Sequence, residues 1–137
     1  MSFGANGPKS TGAKSSEIKQ LTIHTMKVYI SGRISGRPLE EARREFRAAE
    51  VKIRRFGLRP VSPMQNGLAP AADWAEHMGR DITLLLQCEA IYMLPQWQKS
   101  EGATLEYLIA RQRRMRIFLA ETFEAHARFD NTQKRRV

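Results

Sequence analysis

Short β-branched and aromatic runs alternate with helical repeats along this chain, and that alternation limits its fold more than any other feature. Met26–Ser31 (MKVYIS) reads as a buried strand that ends at Gly32. Beyond Gly36 and Pro38, apolar residues return at Leu39, Ala42, Phe46, Ala49, Ile53 and Phe56. These steps of three and four, with Arg and Glu between them, are the spacing of an amphipathic helix. Pro38 suits its first position and Gly57 the position past its end. Leu58–Pro63 is a brief proline-flanked strand that opens into a loop from Met64 to Pro70.

A second helix follows, with Trp74, Met78, Ile82 and Leu85 as its apolar stripe and His77 and Asp81 sharing a neighbouring face. Cys88–Leu94 is the second strong strand, Pro95–Lys99 a loop, Ser100 to about Arg114 a third helix, and Met115–Ala120 a last strand. This order predicts an α/β fold, a flavodoxin- or Rossmann-like three-layer sandwich around a mostly parallel sheet of four or five strands. It also divides the chain into a flexible leader (1–25), one domain (26–120) and a basic C-terminal tail (121–137), the last read as a frayed helix or an arm ordered by a partner.

Composition narrows the classes of function. The chain has 42% hydrophobic and 27% charged residues, a globular balance, and no apolar run approaches the roughly 20 residues of a membrane span. A single cysteine, Cys88, excludes an internal disulfide and a thiolate metal cage, which fits a reducing, cytoplasmic setting. The leader lacks the continuous apolar stretch of a secretory signal. His24 and His126 have no ligand-like spacing to acidic or thiol partners, so no metal is expected, and no cofactor motif is present. The net charge of +9 favours anionic partners: nucleotides, nucleic acids or acidic surfaces.

In an open parallel sheet, ligands bind outside the carboxyl ends of the strands. The turn Ser31–Gly36 offers Gly32 and Gly36 for close backbone approach, with Ser35 between them, although it lacks a P-loop ending and the third glycine of a dinucleotide fingerprint. Ser100 and Gly102 stand at a helix start, where free amides and a hydroxyl can hold a phosphate or sugar oxygen. Glu106, little more than a turn further in, is either a favourable helix charge or a nucleophile kept ionised by the helix dipole. Trp97 and Tyr29 are candidates for stacking on a base, or else ordinary core.

Three segments carry a resemblance: Val28–Gly32 with Ile34 and Gly36, Asp81–Ile82 with Cys88–Pro95, and Trp97–Glu106. Together they make residues 26–120 similar to a family of mostly phage and prophage proteins grouped with the nucleoside 2-deoxyribosyltransferases and deoxynucleoside monophosphate N-glycosidases. The resemblance implies cleavage or transfer at the N-glycosidic bond of a 2′-deoxynucleoside or its 5′-monophosphate, through a covalent intermediate on Glu106. It implies that Asp81 assists, that Tyr29 and Gly32 line the pocket, and that Ser100 and Gly102 hold the phosphate or 5′-oxygen. It further implies a homo-oligomer, since relatives complete their pockets across subunits. Glu89 in place of Asp, Gln96 in place of Gly and Ala103 in place of Thr depart from the family pattern. A competing expectation is a catalytically silent nucleotide-binding or nucleic-acid-associated protein, with Arg111, Arg113, Arg114, Arg116 and the basic tail contacting phosphates.

Overall fold

The computed structural model describes residues 25–135. The expected leader lies outside them except for Thr25, as do the last two residues of the expected tail. The element order is β1 (Lys27–Ser31), α1 (Leu39–Arg55), β2 (Arg59–Val61), α2 (Trp74–Leu86), β3 (Ala90–Met93), α3 (Glu101–Gln112), β4 (Arg116–Leu119) and α4 (Phe123–Arg135). Short 3-10 turns occupy Pro63–Gln65 and Trp97–Lys99.

The four strands are all parallel and lie in the order β2-β1-β3-β4. The twofold period of a strand sorts their side chains onto two faces. Val28, Ile30, Ala90, Tyr92 and Phe118 pack under Phe46, Ala49 and Ile53 of α1 and Phe123 and Ala127 of α4. Tyr29, Ile91 and Met93 meet Leu85 of α2 and Ala103 and Ala110 of α3. The result is the expected three-layer α/β sandwich with a four-stranded sheet.

The helical spacing read in α1 matches its buried stripe, Ala42, Phe46, Ala49 and Ile53. Glu40 and Glu41 in its first turn and Lys52, Arg54 and Arg55 in its last complement the helix dipole. Pro38 stands one place earlier than expected, as the capping residue. A larger difference concerns the stretch after Ala120. Phe123 is fully buried and meets Phe118, Tyr92 and Phe56 edge to face, with ring centroids 5.1, 5.1 and 5.4 Å away. Phe123 and Ala127, four apart on α4, cover the sheet beside α1, so the packed body runs through this helix rather than ending at Ala120.

Chain order turns back at β1 and β3: β2 lies on the far side of β1, and β4 on the far side of β3. A crevice therefore opens beyond the carboxyl ends of these two central strands. Among the described residues no helix is long and apolar enough to cross a membrane.

Candidate active site

Beyond the ends of β1 and β3 lies a cavity of about 510 Å³, of a size that small-molecule sites commonly have. Gly32 and Ser35 line it from the turn after β1, Asp81 from α2, Ser100 from the cap of α3, and Gly102 and Glu106 from α3 itself.

Glu106 is placed there by two periodicities. On α3 the buried residues are Ala103, Glu106 and Ala110, steps of three and four, so the glutamate occupies the stripe that faces the sheet. On β1, Tyr29 and Ser31 are two apart and share the sheet face that α3 covers. The Tyr29 hydroxyl donates to Glu106 Oε2 at 2.7 Å, and the Ser31 hydroxyl donates to Oε1 at 2.6 Å. Tyr29 itself does not line the cavity; its ring is core and its hydroxyl holds the carboxylate.

Burial works against the ionised form of Glu106. The side chain is 4% exposed, and burial pushes its carboxyl up to about 7, against the hydrogen bonds from Ser31 and Tyr29 that pull it down and with Asp81 that adds to the rise. Near neutrality the group therefore exists in both forms. Tyr29 is driven well above the usual phenol range by burial and then by Glu106, so it stays a donor.

Asp81 is 7% exposed, and burial raises its carboxyl, opposed by a hydrogen bond from Asn66 and by His77. Asn66 Nδ2 donates to Asp81 Oδ1 at 2.9 Å and lies 3.0 Å from His77 Nδ1. His77 Nε2 lies 3.0 Å from the Ala69 carbonyl. The His77–Asp81 pair is thus bridged by a third residue rather than being a bare pair on a helix surface.

Ser100 caps α3: its extended backbone starts the helix, and its hydroxyl accepts from the Ala103 amide at 3.1 Å. The first-turn amides of Glu101 and Gly102 have no partner within the helix, and both residues line the cavity. A side chain at Gly102 would press on Met78, whose sulfur lies 3.0 Å from the position of a Cβ there. Gly32 is required by packing, because a Cβ there would stand 2.6 Å from Leu94 Cδ1. Gly36 does not line the cavity; it turns the chain at φ 81°, and its carbonyl accepts from the Arg33 guanidinium at 2.8 Å.

Trp97 is likewise absent from the lining. Its indole stacks on Tyr107 with centroids 4.5 Å apart and packs against the core. The tryptophan that lines the cavity is Trp74, expected as core and in fact half-exposed at the first position of α2. Asn66, Met64 and Arg43 also reach the lining and carry no sequence signal for it. Among the described residues no group of His, Cys, Asp or Glu is arranged to hold a metal ion.

A floor carboxylate poised between its two protonation states, held by two hydroxyl donors beside a second buried carboxyl, can act as a nucleophile or a base toward a ligand in the cavity. In comparisons with known proteins, a family model described as "Domain of unknown function (DUF4406)" matches residues 26–119. No curated protein matches. Among solved structures, a 2-deoxyribosyltransferase from the psychrotolerant bacterium Bacillus psychrosaccharolyticus is similar at a TM-score of 0.55 and 14% identity. The match covers 68% of this chain and 70% of that one, a likeness of fold.

Proposed function

The chain belongs to the DUF4406 family, and we propose that it cleaves or transfers at the N-glycosidic bond of 2′-deoxynucleosides or their 5′-monophosphates. The observation that carries this reading is Glu106: a buried carboxylate on the floor of a cavity, gripped by Tyr29 and Ser31 at the switch point of the sheet. The fold shared with a 2-deoxyribosyltransferase supports it.

In the proposed reaction a Glu106 oxygen bonds to C1′ while the C1′–N bond breaks and its electron pair leaves with the base. Asp81, whose carboxyl burial raises toward the protonated form, binds a sugar hydroxyl or delivers the proton that the departing base needs. Water, or a second base in transfer, then attacks C1′ and frees the carboxylate. Tyr29 and Ser31 steady the carboxylate between these steps. The open amides of Glu101 and Gly102, with the Ser100 hydroxyl beside them, take the 5′-oxygen or phosphate. Trp74 replaces Trp97 as the surface on which the base stacks.

The same reading takes residues 26–120 as the catalytic unit, with α4 completing its core, and places it in a cytoplasmic homo-oligomer of phage or prophage origin. The test is incubation with each deoxynucleoside and its monophosphate, with and without an acceptor base, followed by chromatography for released or exchanged base. Glu106→Ala must abolish turnover and remain folded; an active variant removes Glu106 from its role.

A second reading, a silent protein that binds nucleic acid, draws on the exposed Arg111, Arg113, Arg114 and Arg116. These cluster where α3 ends and β4 begins, at the sheet edge opposite the cavity. Steep salt-dependent retention on DNA without turnover of any nucleoside would favour it.

A further inference from the structure

Asn66 reaches Asp81 from a loop 15 positions earlier in the chain and is itself buried. Both of its amide hydrogens and its carboxamide oxygen are engaged. Oδ1 accepts from the Leu68 amide at 3.0 Å, which fixes which end of the carboxamide is oxygen. Nδ2 then supplies one hydrogen to Asp81 Oδ1 at 2.9 Å and the other to His77 Nδ1 at 3.0 Å. With Nδ1 accepting, the imidazole proton sits on Nε2 and is donated to the Ala69 carbonyl at 3.0 Å. Arg80 closes the same loop onto α2 through the Asn66 carbonyl at 3.2 Å. Asp81 Oδ1 is thereby occupied, while no hydrogen bond engages Oδ2 within the described structure and the residue lines the cavity.

We propose that Asn66 is a positioning residue for Asp81: its carboxamide, oriented by the Leu68 amide and by His77 Nδ1, fixes Oδ1 and leaves Oδ2 as the single carboxyl oxygen presented to the ligand. This rests on the N-glycosidic reading for what Asp81 does, but not for how Asp81 is held. The titratable groups that act on Asp81 are His77 on its own helix, Glu106 on α3 and Tyr29 on β1, Arg80 is turned to the Asn66 carbonyl, and Asn66 is the neutral donor among them. Removing that donor leaves burial less opposed, so the carboxyl must rise further.

The experiment follows the side-chain carboxyl carbons of the ligand-free protein by 13C NMR titration, with Asp81→Asn assigning the Asp81 signal. In Asn66→Ala the Asp81 midpoint moves upward relative to wild type. In His77→Ala, which keeps the Asn66–Asp81 bond but removes its brace, it moves upward by less. An unchanged midpoint in a folded Asn66→Ala overturns the proposal, and so does a larger effect from His77→Ala. Should Asn66→Ala not fold, Asn66→Ser keeps an acceptor for the Leu68 amide on a side chain too short to reach Asp81, and must raise the midpoint likewise. The titration needs no substrate, so it stands if base release is never observed. Where base release is observed, Asn66→Ala lowers kcat by roughly tenfold and leaves KM nearly unchanged, the loss of about one hydrogen bond made to a reacting group. A rise in KM alone would mark the loop as a mere wall of the cavity.

Discussion

Tyr29 donates its hydroxyl to Glu106 Oε2 at 2.7 Å, across 77 positions of sequence. Ser31, one strand repeat further on, takes the other oxygen at 2.6 Å. The carboxylate form of Glu106 is what both hydroxyls favour, and burial opposes them and leaves the group at about 7. As the nucleophile of the proposed reaction, Glu106 must be ionised, so base release rises with pH through about 7. Tyr29→Phe and Ser31→Ala each remove a donor and shift that rising limb upward, on the order of one pH unit, with roughly a tenfold loss of rate at neutral pH. The check is a pH–rate profile for the three proteins; a limb that stays in place separates the hydroxyls from the titration.

The same carboxyl ties folding stability to pH. Its folded value, raised from 4.5 to about 7, means that the native state binds the proton more tightly than the unfolded chain. The stability it contributes is complete below about 4.5 and is lost as pH rises through about 7. The full loss is on the order of 3 kcal/mol. Glu106→Gln removes this dependence, and the raised Asp81 leaves a smaller slope of the same sign. Urea unfolding of both proteins at several pH values between 4 and 8 measures the difference, which must widen in favour of Glu106→Gln as pH increases.

Much of this was legible in sequence, and the rest failed for physical reasons. β1 and β3 declare themselves as continuous apolar runs, because a parallel sheet covered on both faces buries nearly every side chain, and α1 declares itself through its steps of three and four. Glu106 carried a readable sign as well: it falls on the Ala103–Ala110 stripe, where a surface charge does not belong. The partners of that glutamate depend on how β1 and α3 are stacked, which no local pattern encodes. Asn66 precedes Gly67 and reads as an ordinary turn, although its side chain serves a helix further along. The stripe that includes Met78 and Leu85 runs back to Trp74, but the helix begins there, beyond the sheet, so the indole meets the cavity instead of the core. The residues after Ala120 look polar and basic because, among the α4 side chains described, Phe123 and Ala127 are the ones buried.

The close approach of the first and third strands sets a limit on Gly32. A Cβ there would sit 2.6 Å from Leu94 Cδ1 and 2.9 Å from Leu94 Cβ, and Leu94 is buried and cannot withdraw into solvent. Gly32→Ala is therefore expected to destabilise by about 1–3 kcal/mol. Leu94→Ala opens a cavity but removes the 2.6 Å contact with Cδ1, leaving the 2.9 Å approach to Cβ. The double variant Gly32→Ala/Leu94→Ala must lose less than the sum of the two single changes, measured by thermal or urea unfolding. Simple additivity would show that the steric contact is not what keeps glycine at this position.

Gln96 adopts the left-handed conformation at φ 62°, immediately before the turn that leads to α3. A side chain pays roughly 1–2 kcal/mol for that region and glycine pays almost nothing. Part of the relief is offset by the greater freedom of glycine in the unfolded chain. Gln96→Gly also forfeits the contact from Lys99 Nζ to Gln96 Oε1 at 3.3 Å, an exposed bond of small worth. The net expectation is a gain of about 0.5–1 kcal/mol with the cavity unchanged. A lower melting temperature in Gln96→Gly would contradict it.

The two tryptophans of the chain give the sharpest separation of binding from packing, because each can be made the sole reporter. Trp97 stacks on Tyr107, both rings half-buried against the core, so Trp97→Ala is expected to destabilise by about 1–3 kcal/mol. Trp74 is half-exposed on the cavity, so Trp74→Ala is expected to leave unfolding almost unchanged. Its effect falls on the ligand: KM for a deoxynucleoside monophosphate rises about tenfold, the loss of one stacking contact. In Trp97→Phe the remaining indole is Trp74, and its fluorescence is quenched as the nucleotide is added. In Trp74→Phe the remaining indole is Trp97, and it stays silent. Quenching that followed Trp97 instead would return the base to the loop after β3 and remove Trp74 from the site.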